Sequence, residues 1–290
     1  FVLSIVTSVI VARVLGPTSK GIYTLVILIP TLMLKLGTLG IEEASVYYTG
    51  SKKYTVEEMA ANGLSFGFVL GIVLVALFFF LMNSTIFRNF LNSNQIRPLY
   101  IWLVVLTIPF ALISSFLKSV ILGKENIIDY NKIDIFQTVF QLLAIVVFLV
   151  LLRQGILGAT LSYVFAIIST TLFIFILLRK ITKFSFPLRM DVLTSSIAYG
   201  WKPFIGSAAQ FLNYRLNMFI LAFFLPPAAV GYYSISILLA ERLWMIPTSI
   251  GTVLFPRISS LGDINANALT PIVSRFTSFI VIIISVLMII

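Results

Sequence analysis

The chain has 290 residues, of which 60% are hydrophobic and only 10% charged, with a mean hydropathy of +1.10. Soluble domains carry about 25% charged residues, so this composition excludes a soluble globular fold, and apolar runs that do not alternate with period 2 exclude a β-barrel. Cysteine and histidine are both absent, which removes thiol nucleophiles, disulfides, His- or Cys-ligated metals and histidine-based catalysis from these residues.

Apolar runs of bilayer-crossing length recur along the chain. Gly, Pro and polar punctuation divides it into nine predicted spans: 1–15, 21–48, 58–83, 98–122, 133–152, 156–178, 198–225, 229–254 and 271–290. The predicted fold class is all-α, a polytopic transmembrane bundle. The longest connection, Arg179 to Ile197, reads as the hinge between an N-terminal lobe (1–180) and a partial C-terminal lobe (181–290), with Asp191–Ala198 as a short interfacial helix. Phe1 lies within an apolar run and the chain ends in "FIVIIISVLMII", so it reads as a piece of a longer membrane protein.

The net charge of +10 belongs mostly to the connections. Odd-numbered connections hold Arg13, Lys20, Arg88, Arg97 and Arg153. Even-numbered ones hold Lys52, Lys53, Lys118, Lys124, Lys132, Arg179, Lys180, Lys183, Arg189, Lys202 and Arg257. This bias places the even connections and the N-terminus in the cytoplasm, and the protein in the cytoplasmic (inner) membrane. The positive charge therefore does not signal a nucleic-acid partner.

Span 2 carries a stripe of Thr24, Thr31, Lys35, Thr38 and Glu42 at helical spacing. Lys35 is the odd residue. An unbroken helix over 21–48 would bury it roughly 20 Å from Gly21, whereas a helix ending near Gly40 in "LGTLG" would let it snorkel. Span 4 adds Thr107, Ser114 and Lys118, the last near enough to the cytoplasmic end to snorkel. Span 5 adds Asp134, Gln137, Thr138 and Gln141, with Asp134 read as a solvated helix-end charge. Serine and threonine stripes also serve as helix–helix contacts. Span 7 carries Gly206, Ser207, Gln210, Asn213, Tyr214 and Asn217 on one face and Arg215 on another; span 8 carries Ser234, Glu241 and Thr248, with Arg242 beside them. Polar stripes in lipid-length helices face protein or water, which predicts a wet cavity. Its candidate substrate-binding residues are Lys35, Arg215, Arg242, Gln210, Asn213 and Asn217, a basic set suited to an anion. Glu241 is the candidate for ion coupling, and an alternative pairs it structurally with Lys35 or Arg215. No cofactor is implied. Pro30, Pro109 and Pro247 each remove a backbone hydrogen bond and predict kinks.

One repeat stands out. "ARVLGPTSKGIYTLVIL" (12–28) aligns without gaps on "AFFLPPAAVGYYSISIL" (222–238), matching Pro17 with Pro227, Gly21 with Gly231 and Tyr23 with Tyr233. Six spans separate the copies, so they share topology and relate by an axis along the membrane normal. A two-lobed transporter, with about three or more further helices, is expected from this.

The segment "ARVLGPTSKGIYTL" resembles the first external turn of polysaccharide-transport flippases (Wzx-type), through Arg13, Leu15, Gly16, Pro17, Gly21 and Tyr23. Residues 213–259 resemble the start of that family's second half, through Gly231, Tyr233, Glu241, Pro247, Phe255, Pro256 and Arg257, while Asn217 stands where family members often have an acid. The resemblance implies a MATE-like fold of twelve to fourteen helices in two six-helix lobes and alternating access. It also implies a partner substrate carried on a polyprenyl diphosphate, exported for surface polysaccharide biosynthesis alongside polymerase components and membrane lipids. A multidrug or organic-cation exporter of the same fold is the main alternative. A membrane polymerase or glycosyltransferase is less favoured, since no DxD motif or large outward loop occurs, and no enzymatic activity is expected.

Overall fold

The computed structural model describes residues 2–179 and 189–241, with 271, 274–279 and 281–282 beyond them. Among the described residues there is no strand. The helices are α1 (Val2–Gly37), α2 (Ile41–Gly50), α3 (Val56–Met82), α4 (Thr85–Ser93), α5 (Pro98–Val105), α6 (Ile108–Gly123), α7 (Ile127–Ile145), α8 (Gly155–Arg179) and α9 (Met190–Phe224). A π-helical turn, Val146–Leu151, extends α7, and a further helical run covers 227–241. Contacts divide the chain into Phe1–Tyr232 and Tyr233–Ile290. In the second unit the described residues are helical.

Among the described residues, five stretches are long and apolar enough to cross a bilayer: Leu3–Gly37, Val56–Met82, Pro98–Gly123, Ile127–Leu151 and Gly155–Arg179. A straight α1 would be about 54 Å long, well beyond a hydrocarbon core of roughly 30 Å. Gly16 breaks it, with φ 71° and ψ 174°, and Pro17 starts the second segment where its missing N–H costs nothing. The expected span 1 and the first part of span 2 are these two segments, joined by one non-helical residue rather than a loop.

Span 2 is not one helix. It stops at Gly37 and restarts at Ile41, with Leu39 (φ 49°) and Gly40 (φ 80°) both left-handed between. Span 4 is also split. Pro109 cannot donate to the preceding turn, so α5 ends at Val105 and α6 starts at Ile108; the Thr107 hydroxyl donates to the Val104 carbonyl, 2.6 Å. The interruption expected at Pro109 falls at Leu106–Thr107, whose dihedrals stay in the right-handed helical region. Pro30 stands in helical backbone, and Pro247 lies outside the described residues. Asp191–Ala198 is not a separate interfacial helix. Its backbone runs without interruption into the 35-residue α9, and Val192 and Ser196 are buried.

Lipid-facing helices gain little from apolar burial, so close packing has to hold them. One example is α3 on α6. Gly63, Gly67 and Gly71 recur every four residues on one face of α3. A Cβ on Gly71 would lie 2.4 Å from Pro109 Cα, and one on Gly67 would lie 3.1 Å from the Ile113 side chain. The α3 start is fixed by a capping box in which the Thr55 hydroxyl accepts from Glu58 N–H and Glu58 accepts from Thr55 N–H. Buried Ala60, Leu64, Leu117, Ile133 and Ile174 fill the space among α3, α6, α7 and α8. Phe136 stacks on Phe140 and Phe173, 4.1 Å each, across α7 and α8. Phe68, Ile72, Phe80 and Leu172 point outward and are exposed.

Candidate functional site

The break at 38–40 decides where Lys35 goes. Lys35 is in the last turn of α1, and the chain doubles into α2, whose first turn holds Glu42 and Glu43. The Lys35 ammonium stands 3.9 Å from Glu42 Oε2 and 3.9 Å from Glu43 Oε1, shared between two carboxylates. The Ser115 hydroxyl on α6 donates to Glu42 Oε1, and the Ser207 hydroxyl on α9 donates to Glu43 Oε1 at 3.1 Å. Four helices thus meet at one ionic cluster. Its side chains are about a quarter exposed: 21% for Lys35, 25% for Glu42 and 26% for Glu43. Among the described residues, the second Glu43 oxygen, Oε2, is buried without a hydrogen-bond partner. Both acids sit at the α2 N-terminus, where the helix dipole favours negative charge. One ammonium against two carboxylates leaves a formal charge of −1.

Of the two readings left open for span 2, the structure has the helix that ends before Gly40, with Lys35 in its last turn. The break swings both acids back onto it. The stripe's Thr24, Thr31 and Thr38 hydroxyls donate to their own helix, to the Lys20, Ile27 and Lys35 carbonyls. Two glycines flanking "TL" were the available signal for this turn.

The other predicted residues divide. Gln210, Asn213 and Asn217 share an exposed face of α9 with Gly206, whose missing side chain would meet nothing within 4 Å. Arg215 is half-buried on the opposite face and engages other groups. Glu241 belongs to the second unit and also engages other groups. Arg242 lies outside the described residues. Lys118 does not simply snorkel, nor is Asp134 merely solvated. They form an ion pair, and the ammonium sits 4.3 Å from the Tyr130 ring centroid. The Ser114 hydroxyl is 2.6 Å from that of Thr171 on α8, a helix–helix contact.

A cluster that the sequence reading missed joins α2 to α9. Tyr47 stacks on Tyr199 at 4.1 Å and 10°. The Tyr48 hydroxyl donates to the Ser195 carbonyl (3.2 Å) and the Tyr54 hydroxyl to the Ser195 hydroxyl (3.1 Å). Arg189 N–H donates to Asn62 Oδ1 (3.0 Å), while its guanidinium pairs with Glu58 and Asp191. The hydrogen bond to Arg189 holds the Asp191 carboxyl below the usual carboxylate range. "YY" at 47–48 and Tyr199 lie more than 150 residues apart, so no local pattern links them.

Two cavities flank α4. One, of about 410 Å³, is an apolar groove lined by Ile29, Met33, Phe78, Phe87, Phe219 and Phe223 among others. The other, of about 390 Å³, includes Asn83, Arg88, Asn92 and Trp102. Lys35 lines neither.

Comparison with known proteins places this geometry. A family model described as polysaccharide biosynthesis protein matches residues 1–262. No curated protein matches the chain. A MOP superfamily transporter from Pyrococcus furiosus, reported with a binding pocket of reversed polarity, is similar at 13% identity and TM-score 0.59, over 77% of this chain and 50% of its own. An outward-facing multidrug resistance MATE family transporter of the MOP superfamily is similar at 16% identity and TM-score 0.62, over 84% of this chain and 56% of its own. The chain thus spans about half the length of these transporters and shares their fold.

Proposed function

The chain belongs to the polysaccharide biosynthesis protein family, and from that membership, together with the MOP transporter fold, we infer that it is part of a multi-pass flippase for a polyprenyl-diphosphate-linked oligosaccharide. The lipid moves from the cytoplasmic to the outer leaflet by alternating access, between an N-terminal lobe (1–180) and a C-terminal lobe begun at 181–290. The protein resides in the cytoplasmic membrane with its N-terminus inside. It moves a substrate and catalyses no covalent step.

The family match over residues 1–262 carries this reading. Chemistry supports it at two places. The apolar groove beside α4 offers a dry wall for a prenyl chain. Lys35 supplies a charge-assisted donor for a diphosphate, with Gln210, Asn213 and Asn217 for sugar hydroxyls; Arg215, engaged with other groups on the opposite face of α9, stands apart from them. Lys35 is already neutralised, so a diphosphate reaches its ammonium only by displacing Glu42 or Glu43. The carboxylates act as exchangeable counter-ions that keep the site occupied between transport cycles.

The same observation favours a second reading, an organic-cation exporter, because a cluster of charge −1 attracts cations. One assay separates the two. The full-length protein is reconstituted in vesicles with a fluorescent short-chain polyprenyl-diphosphate sugar in one series and a lipophilic cation in another. The flippase reading expects translocation of the diphosphate lipid, lost in Lys35→Ala. Cation uptake that is lost in Glu43→Gln, with no movement of the diphosphate lipid, would overturn it.

A further inference from the structure

The connection between α3 and α5 has its own chemistry. Residues 83–97, "NSTIFRNFLNSNQIR", hold two arginines, four asparagines and no acid. Within it α4 is amphipathic. Ile86, Phe87, Phe90 and Leu91 fall on one arc of the helix, and Thr85, Arg88, Asn89, Asn92 and Ser93 on the other. Phe90 and Leu91 are buried against the bundle, whereas Ile86 is 78% exposed and Phe80, near the end of α3, 71%. α3 is about 40 Å long against a hydrocarbon core of roughly 30 Å, so its ends reach the headgroup level. A helix of this pattern at that depth lies in the interface, its uncovered apolar side chains among acyl chains and its polar arc among headgroups.

The cavity of about 390 Å³ lies at this level. Arg88 folds back onto the end of α3. Its Nε–H donates to the Met82 carbonyl (3.2 Å) and its Nη2 to Asn83 Oδ1 (2.9 Å). These bonds cap α3, which is a structural duty, but they spend only two of the five guanidinium donors. Among the described residues Arg88 pairs with no carboxylate, and no acid lines the cavity. The unspent edge of a planar fork suits phosphate oxygens. Asn92 adds an amide, and Phe79 and Trp102 form the wall, with ring centroids 6.2 Å apart. A cation beside an aromatic wall, wet on one side and apolar on the other, matches the surroundings of a lipid headgroup.

We propose that this cavity binds the phosphate of an anionic phospholipid, a resident lipid distinct from any that is transported. Arg88 takes the phosphate, Asn92 the polar headgroup, and the acyl chains lie along exposed Phe79 and Phe80. Charge favours an acidic lipid over a zwitterionic one, because the connection offers cations and no anion to hold a choline or ethanolamine. The site is also joined to α9. The Asn94 amide donates to the Ala222 carbonyl (3.1 Å), and the Phe90 and Phe223 rings meet at 5.0 Å. A lipid that holds α4 in place therefore holds that junction. The proposal needs the membrane-spanning helices and not the identity of the transported substrate.

The test uses the full-length protein in phosphatidylcholine vesicles. Trp102 is the reporter, with Trp201, Trp244 and any further tryptophan of the full chain replaced by phenylalanine. Brominated phosphatidylglycerol and brominated phosphatidylcholine are titrated as quenchers. Phosphatidylglycerol is expected to quench Trp102 at a mole fraction about tenfold lower, the weight of one charge-assisted contact. Arg88→Gln should abolish that preference. Because Arg88 also caps α3, Asn92→Asp is the second variant. It adds a negative charge in the cavity without touching the cap, and should abolish the preference as well. Asn89→Asp, the same change on the polar arc outside the cavity, should leave it unchanged. Equal quenching by the two lipids overturns the proposal. So does an equal loss in Asn89→Asp and Asn92→Asp, which would show only a diffuse surface potential. Relief of quenching by an unbrominated polyprenyl diphosphate but not by unbrominated phosphatidylglycerol would assign the cavity to the transported lipid, and relief by inorganic phosphate alone would make it a soluble-anion site; either result refutes a resident phospholipid.

Discussion

Lys35 and Glu43 stand 3.9 Å apart across a helix break, eight residues apart in sequence, in a relationship that no continuous helix permits. At this spacing along a straight helix the two groups would sit about two turns apart. The left-handed pair Leu39–Gly40 folds one onto the other. Removing the lysine leaves two carboxylates without their shared cation. Lys35→Ala is therefore expected to destabilise the protein by about 2 kcal/mol, below the 3–5 typical of a fully buried pair because these groups are partly solvated. Thermal unfolding in detergent measures this. The double variant Lys35→Ala/Glu43→Gln should recover part of the loss, and no recovery would show that the pair is not coupled.

Binding gives the opposite sign for the two partners. Glu43→Gln releases Lys35 from one counter-ion and brings the cluster from −1 to neutral. Affinity for a polyprenyl diphosphate is expected to rise, by three- to tenfold in a tryptophan-quenching or calorimetric titration, whereas Lys35→Ala lowers it. Equal losses in both variants would point to a purely structural cluster.

The glycine ladder on α3 predicts a steric effect. Gly71→Ala places a methyl 2.4 Å from Pro109 Cα, where rigid proline backbone cannot yield. A loss of about 1–3 kcal/mol is expected from overpacking, seen as a lower melting temperature and poorer membrane insertion. Gly63→Ala meets its nearest atom, Phe116 Cβ, at 3.2 Å and should be milder. The order Gly71 worse than Gly63 is the point at risk.

Tyr54 makes one hydroxyl bond across to Ser195, at 3.1 Å. Tyr54→Phe keeps the ring beside Tyr48 and removes only that bond, so a cost of about 1 kcal/mol is expected. Tyr199→Ala removes the face stacked on Tyr47 and should cost more, by roughly another 0.5–1.5 kcal/mol. Hydrogen exchange at the start of α9 should quicken in both variants.

Much of the fold was legible without coordinates. Apolar runs of bilayer length mark α3, α7 and α8 because lipid forces every backbone polar group into helical pairing. Pro109 marks the α5–α6 break because it has no N–H to give. The repeat marks Gly21 and Gly231 as equivalents. Gly63, Gly67 and Gly71 stood in plain view at four-residue spacing and went unread. The site was less legible. Gln210, Asn213 and Asn217 share a face at helical spacing, and the unbroken α9 keeps them on it; the glycines of "LGTLG" mark the end of the helix carrying Lys35, but which groups the break at 38–40 brings together depends on the fold.

By itself, then, the sequence determined that this is a helical membrane protein with a twofold internal pattern, since hydropathy and punctuation act locally and each span answers to the bilayer alone. Only the tertiary structure decided that Lys35 belongs to Glu42 and Glu43, that Tyr47 stacks on Tyr199, and that Gly71 rests on the backbone of Pro109. Coulomb pairing, ring stacking and backbone contact depend on separations of a few ångströms, and the folding of one helix against another sets those distances.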